Sequence, residues 1–257
     1  MAPPSRPRRL VGVSLEMYLD IPKTQKYIQD VAALAQHAAD HNVDLLVIPD
    51  FLNIVDAGRT LQGTNVLLGA QDCSWEDFGA HTGETSASAL KQAGCQIVEL
   101  GHAERRRVFG ETDEQVSCKV GAAVRNGLTP LVCVGEKGRS AVASEAVGLA
   151  LRECIPQVMA AMAAVPADVE VVLAYAPVWA VGLSEAVSAD HVVAVAQQLR
   201  NLTTTRKGVT RILYGGGVGP GRFRALKDGV DGLILGRLAD IETLRQVITD
   251  VGQGVVT

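Results

Sequence analysis

The chain has 257 residues, 47% of them hydrophobic and 20% charged, with 26 Gly and 10 Pro spread along its length. That composition excludes a disordered or collagen-like polymer and fits a soluble globular protein of one domain or two. Lys and Arg number 24 against 28 Asp and Glu, a formal net charge of -4 and a sequence pI of about 5.8, which argues against a general polyanion binder and so against nucleic acid as a partner.

The first nine residues, MAPPSRPRR, carry three Arg, and no apolar stretch behind them could form a signal-peptide core or a membrane span. They read as a flexible leader over 1–9, with the folded unit at 10–257 and no membrane partner. A short β-rich run, Leu10–Ser14, comes next and is followed by Leu15-Glu16-Met17. Helical spacing of apolar residues covers Thr24–Asp40, and further short apolar runs follow at Leu45–Ile48, Val66–Ala70 and Ile97–Leu100. After the last of these stands Gly101-His102-Ala103-Glu104. A helix is predicted over Asp113–Asn126, a strand over Thr129–Cys133 with Gly135-Glu136 behind it, and a helix over Glu145–Ala164. Then come a strand at Val171–Ala174 leading into Tyr175-Ala176-Pro177-Val178-Trp179, a helix at Ala189–Asn201 and a strand at Ile212–Leu213 running into Gly215-Gly216-Gly217. The series ends with a strand at Gly232–Leu235 before Gly236-Arg237, and a helix at Ile241–Val251.

Eight β/α units in a chain of this length predict a closed (β/α)₈ barrel in a single domain, with chemistry on the loops that leave the C-terminal ends of the strands. The rival, a doubly wound open sheet, normally carries a Gly-rich phosphate loop after its first strand, and Val13-Ser14-Leu15-Glu16-Met17 is not one. The five Cys (73, 95, 118, 133 and 154) include no CxxC pair and form no even disulfide framework, so reduced thiols in the cytoplasm are expected. Nothing in the chain has the spacing of a metal cluster or a nucleotide fingerprint, and no cofactor or metal is expected.

The barrel prediction directs attention to the residues after each strand. The Gly-bearing turns at Gly217 and Gly236 suit a phosphate, because backbone N–H groups can approach its oxygens where no side chain intervenes; each is equally compatible with a plain turn. Arg237 adds a planar cation beside the second turn, or is an ordinary surface Arg. His102 and Glu104 form an acid/base pair or a structural one.

Taken in order, the strings GAQDCSWEDFGAHTGETSASALKQAGC, GHAERRRVFGETDE, LTPLVCVGE, AYAPVWAVG, LYGGGV and VDGLILG resemble triosephosphate isomerase, from about Leu10 to Val251. The resemblance implies a (β/α)₈ barrel and a tight homodimer that acts on a small sugar phosphate. The opening VGVSLEMYLD and the closing strings, with Arg237 after Gly236, look closer to the branch that acts on four-carbon ketose phosphates such as erythrulose phosphate. By the same resemblance His102 is the electrophilic histidine and Glu104 the structural Glu, while Cys133 and Glu136 belong to the CVGE string. Ser14, Gly182, Gly217, Gly236 and Arg237 line the substrate and its phosphate, and Pro177, Val178 and Trp179 form the lid hinge. GAHTGE at 79–84 is the dimer loop, with His81 and Thr82 at its tip. Leu183-Ser184 and Gly217 depart from the family pattern.

Two departures bear on the chemistry itself. The family's YEPVW string supplies its catalytic base, and here it reads Tyr175-Ala176-Pro177-Val178-Trp179; the family's N-x-K-M string supplies a cation, and here it reads Ser14-Leu15-Glu16-Met17. Triosephosphate isomerase is the reference case of a Glu base working with a neutral His electrophile. Losing the base forfeits a contribution of about 10²–10⁴ in rate. A carboxylate about 5 Å from a developing enediolate costs about 3 kcal/mol at an effective dielectric of about 20. Three readings follow: a sugar-phosphate isomerase scaffold whose ordinary isomerisation is strongly impaired, a repurposed enzyme on a small anionic substrate with Glu16 and His102 as its acid/base pair, or a non-catalytic binding or regulatory protein.

Overall fold

Buried strands with apolar residues on both faces need cover on both sides, and this chain supplies it by closing the sheet on itself and surrounding it with helices. A computed structural model describes residues 7–180, 186–236 and 239–254. Its strands are β1 (Arg9–Ser14), β2 (Val43–Ile48), β3 (Leu67–Ala70), β4 (Ile97–Leu100), β5 (Thr129–Val134), β6 (Val171–Tyr175), β7 (Thr210–Gly215) and β8 (Gly232–Leu235). All pair in parallel with their sequence neighbours, and β1 pairs with β8 (Val11 opposite Leu233) to complete the closed eight-stranded barrel.

Strand alternation sorts the core into two layers. Leu10, Leu46, Ile48, Ile97, Leu131, Val172, Ala174, Leu213 and Ile234 point inward and fill the barrel. Their neighbours, among them Val11, Val13, Leu45, Val98, Leu173 and Leu233, face the surrounding helices. Those helices are α1 (Ile21–Ala33), α2 (Ala35–Asp40), α3 (Ile54–Thr60), α4 (Ala87–Gln92), α5 (Ala103–Phe109), α6 (Asp113–Arg125), α7 (Ala143–Met162), α8 (Ala189–Asn201), α9 (Arg222–Leu226) and α10 (Ile241–Gln253). Starts are fixed by side-chain caps such as Asp20 for α1, Asp240 for α10, and Thr112 with Gln115 as a capping box for α6.

Three features differ from the sequence reading. Arg9, expected to end the leader, is instead the first residue of β1: its guanidinium donates to the Val230 carbonyl at 2.5 Å, sits 3.8 Å from Asp231 and covers the Phe223 ring. The helix expected over Thr24–Asp40 breaks at the buried Leu34, whose N–H turns to the Val31 carbonyl in a tight three-residue step. Strands β2 and β7 begin two residues earlier than their apolar runs, because each carries a charged residue, Asp44 or Arg211, in second place. Arg211 is buried at the floor of the barrel, 2.7 Å from Asp44 and 2.6 Å from Glu170, and Arg8 reaches Asp44 at 3.0 Å.

Candidate active site

The C-terminal end of β1 brings Glu16 to the barrel mouth. Ser14 is buried on the inward face, and its hydroxyl donates to Glu99 on β4 at 2.8 Å. Two residues on, Glu16 takes a left-handed conformation, φ 50°, that non-glycine residues rarely adopt. The Gln71 side-chain amide, just after β3, holds that turn by donating to the Glu16 carbonyl at 2.9 Å. The Glu16 carboxylate then lies against the turn after β8, 3.3 Å from where a side chain on Gly236 would begin. Burial pushes the Glu16 pKa up from its ordinary value. Glu104 and Glu99 push in the same direction, and His102 opposes them.

Glu99 itself is only 4% exposed and is also the acceptor for the Cys133 thiol at 3.5 Å. Burial first, and Glu99 second, hold that thiol well above its usual range, so it remains a protonated donor. At the end of β4, His102 caps α5: its Nδ1 accepts the Glu104 N–H at 3.3 Å. An Nδ1 that accepts is unprotonated, so the ring's proton sits on Nε2 and can be offered to a ligand. The Glu104 carboxylate is 3.9 Å from His102 Nδ1. The cations beside it are engaged elsewhere, Arg105 with Asp72 at 2.9 Å and Arg106 with Asp113 and the Gly101 carbonyl.

The end of β6 carries Ala176. Ala176 donates its N–H to Val134, and its methyl lies 3.3 Å from where a side chain on Gly215 would start. A carboxylate is absent from this position. Gly135 faces the Ala176 carbonyl so closely that a Cβ there would sit 1.9 Å from the oxygen, which leaves glycine as the residue that fits. Behind Ala176, Val178 and Trp179 are fastened to the end of β5. The Val178 N–H donates to the Glu136 carbonyl at 2.9 Å, and the Trp179 indole donates to the Glu136 carboxylate at 2.8 Å. Tyr175 also donates to that carboxylate, at 3.2 Å, and lies 3.0 Å from His191. Pro177 is buried against this assembly. A cavity of about 710 Å³ borders Trp179, with Arg139 over the indole and Val187, Ser188 and His191 on its wall.

The turns after β7 and β8 place the exposed Gly217 and Gly236 beside the mouth. Gly182 and Arg237, singled out from the sequence, lie outside the described residues, as does the Leu183-Ser184 pair. Met17 is 93% exposed just beyond Glu16, and Phe51, Leu52, Trp75, Phe78, Val108 and Phe109 are also exposed on the segments that follow β2, β3 and β4. His81 and Thr82 are exposed on the same side of the sequence, in the loop after β3. Among the described residues no group of three or more His, Cys, Asp or Glu side chains is placed to hold a metal ion.

The structure thus brings Ser14, Glu16, His102 and Glu104 to one end of the barrel, with Ala176 and the turns at Gly217 and Gly236 on the same rim. Sequence reasoning missed Gln71 and Glu99. The signals were there: Glu99 is the one charged residue in the apolar run Ile97–Leu100, and Gln71 directly follows a predicted strand.

The profile of the family described as triosephosphate isomerase matches residues 9–249. An L-erythrulose-1-phosphate isomerase from Pectobacterium atrosepticum is 42% identical over 89% of this chain and 90% of its own. A triosephosphate isomerase from Aquifex aeolicus is 34% identical over 94% and 98%, and an L-erythrulose-1-phosphate isomerase from Rhizobium etli is 37% identical over 84% and 85%. With the barrel and its rim of site residues in place, the chain belongs to the triosephosphate isomerase family.

Proposed function

We propose that this protein is a small sugar-phosphate binder built on the family's ketose–aldose isomerase scaffold, whose ordinary isomerisation is strongly impaired. The observation that carries the reading is Ala176 at the end of β6, a methyl where a general base must stand. His102 keeps the tautomer that can polarise a carbonyl, since its Nδ1 is occupied by the Glu104 N–H. Glu16 adds the opposite charge to the one that would stabilise an enediolate. The turns at Gly217 and Gly236, with Ser14, Gly182 and Arg237, supply the binding half of the site.

Deuterium exchange from D₂O into dihydroxyacetone phosphate and erythrulose phosphates tests this directly. The chain is expected to be silent and the Ala176→Glu, Glu16→Lys double variant to exchange. A double variant that binds these compounds and remains inert rejects the reading.

A second reading is favoured by the position of Glu16 between His102, Glu104 and Gly236. A carboxylate held there with a raised pKa is a stronger base than a solvated one, and paired with His102 it would act on a small anionic substrate in an altered reaction. Exchange by the unmodified chain that disappears in Glu16→Gln supports this; exchange unaffected by that change removes it. If His102→Ala also leaves binding untouched, a non-catalytic role remains.

The exposed apolar residues that follow β1 to β4 support a homodimer in which the loop around His81 and Thr82 meets the partner. Leu52 and Phe78 are each 80% exposed, more apolar surface than a monomer usually leaves in one region. No described helix is long and apolar enough to cross a membrane.

A further inference from the structure

The last inward-facing layer before the barrel mouth is polar on one side. Ser14 of β1, Glu99 of β4 and Cys133 of β5 share the inward faces of Leu10, Ile97 and Leu131, and all three are buried. Glu99 accepts on both carboxylate oxygens, from the Ser14 hydroxyl on Oε2 at 2.8 Å and from the Cys133 thiol on Oε1 at 3.5 Å. A serine hydroxyl has one proton and two lone pairs, and here the proton is committed to a carboxylate inside the fold. Such a bond is about twice as strong as one between neutral groups, and turning the hydroxyl away would strip Glu99 Oε2 of its donor. The side that Ser14 leaves for a ligand is therefore its lone pairs. Small residues surround that oxygen. The β1–β8 register pairs Val13 with Leu235, and continuing it sets Ser14 beside Gly236, which is exposed and has no side chain. Ala176 and Gly215 add only a methyl and a hydrogen to the same rim.

A carbonyl oxygen can only accept a hydrogen bond, so it gains nothing from an acceptor at position 14. An alcohol can donate there and still accept from another group, such as His102 Nε2–H. We propose that Ser14, held by Glu99, makes this site selective for an alcohol over a carbonyl, so that its ligand is a small polyol phosphate. Glu99 is a positioning residue in this arrangement, acting through the Ser14 hydroxyl. The methyl of Ala176 accords with it, since an alcohol carbon carries no carbonyl-activated proton for a base to take. The inference rests on the reading that the rim binds a small phosphate ester, and it adds the oxidation state of the carbon that faces β1.

The test is a matched pair of probes that differ at one oxygen: hydroxyacetone phosphate, and the propanediol phosphate formed when its carbonyl is reduced, in both enantiomers. Each is titrated calorimetrically into the full chain, Ser14→Ala and Glu99→Met, with inorganic phosphate as reference ligand and circular dichroism to confirm the fold of each variant. The full chain is expected to bind the better diol enantiomer about tenfold more tightly than the ketone. Ser14→Ala removes the acceptor and should bring the two probes level. Glu99→Met frees the Ser14 proton to meet a carbonyl, so there the ketone should bind as well as the diol or better. A general loss of packing would weaken both probes together and leave their ratio unchanged. Equal binding by the full chain, or a preference for the diol that persists in either variant, overturns the inference while the phosphate-site reading stands. If neither ester nor inorganic phosphate binds any of the three proteins, the phosphate-site reading falls and the inference falls with it.

Discussion

The Trp179 indole N–H donates to Glu136 at 2.8 Å, and through that bond a carboxylate at the end of β5 holds the segment that leaves β6. Glu136 is 1% exposed, and the same carboxylate accepts from Tyr175. Burial, and then the Glu136 charge, push the Tyr175 pKa far up, so its hydroxyl remains a donor across the accessible pH range. Glu136→Ala leaves the Trp179 indole N–H without its acceptor, leaves His191 as the remaining partner of the Tyr175 hydroxyl, and opens a cavity. It is expected to cost about 2–4 kcal/mol in urea unfolding. A cost under about 1 kcal/mol would mean that this segment is held by packing alone.

Behind the mouth, Lys119 donates to both Asp72 oxygens at 2.8 Å and closely to Glu111, with all three side chains buried. Burial lowers the Lys119 pKa, but Asp72 and Glu111 outweigh it and the net direction is up. Its contribution is therefore fully present below the ordinary lysine pKa and lost as pH rises through the raised one. Removing the cation leaves two buried carboxylates with Arg105, 2.9 Å from Asp72 and 3.9 Å from Glu111, as their remaining counter-charge. Lys119→Met should destabilise by about 3–5 kcal/mol at neutral pH. The deficit should shrink as pH falls and the carboxylates take up protons, which denaturant titrations across pH will detect.

Glu16 gives a smaller effect of the same kind. Its pKa is raised by burial first and by Glu104 next, so the folded state holds its proton more tightly than the unfolded chain does. The associated stability is present below the ordinary carboxylate value and lost as pH rises through the raised one. Glu16→Gln should stabilise the fold at neutral pH by under about 1 kcal/mol, given its partial exposure, and the gain should vanish in acid. Melting curves at two pH values measure it; an equal gain at both would show that charge is not the cause.

Gly135→Ala should be among the most damaging single-methyl changes in the protein. The added carbon would lie 1.9 Å from the Ala176 carbonyl oxygen, so the ends of β5 and β6 must separate. The expected cost is about 3 kcal/mol or more, with loss of soluble protein at physiological temperature. Chemical denaturation of the purified variant provides the number.

The self-association surface can be tested with Phe78→Glu, which places a charge on an exposed aromatic in the segment after β3. If the proposed homodimer forms through this face, light scattering should report a dimer mass for the unaltered chain and a monomer mass for the variant. An unchanged mass would move the contact elsewhere.

The barrel was legible in the sequence because strands buried on both faces must be apolar throughout, and eight such runs alternate with helical spacing. The misplaced edges fall where that rule is broken by charge. Asp44 and Arg211 stand second in their strands as charged residues yet pair with one another at the barrel floor, and no single-strand pattern announces a partner more than a hundred residues away. Arg9 was hidden for the same reason, since its acceptor is Val230 on the far side of the sequence. The rim residues were legible because their loops follow strands, whereas Glu99 and Gln71 act on Ser14 and Glu16 only after closure brings β4 and β3 alongside β1. The hydroxyl of Ser14 was expected to face a ligand; its bond to Glu99 can be seen only in three dimensions.

Arg211, Asp44 and Glu170 lock the floor of the barrel, at the opposite ends of the strands from Glu16, His102 and Ala176. Closure of the fold and choice of chemistry are therefore written on separate ends of the same eight strands. Residues at the mouth can change without loosening the joint that keeps the molecule shut at the other end. This division gives the scaffold a wide neutral territory in which a new chemistry can be tried before the old one is replaced.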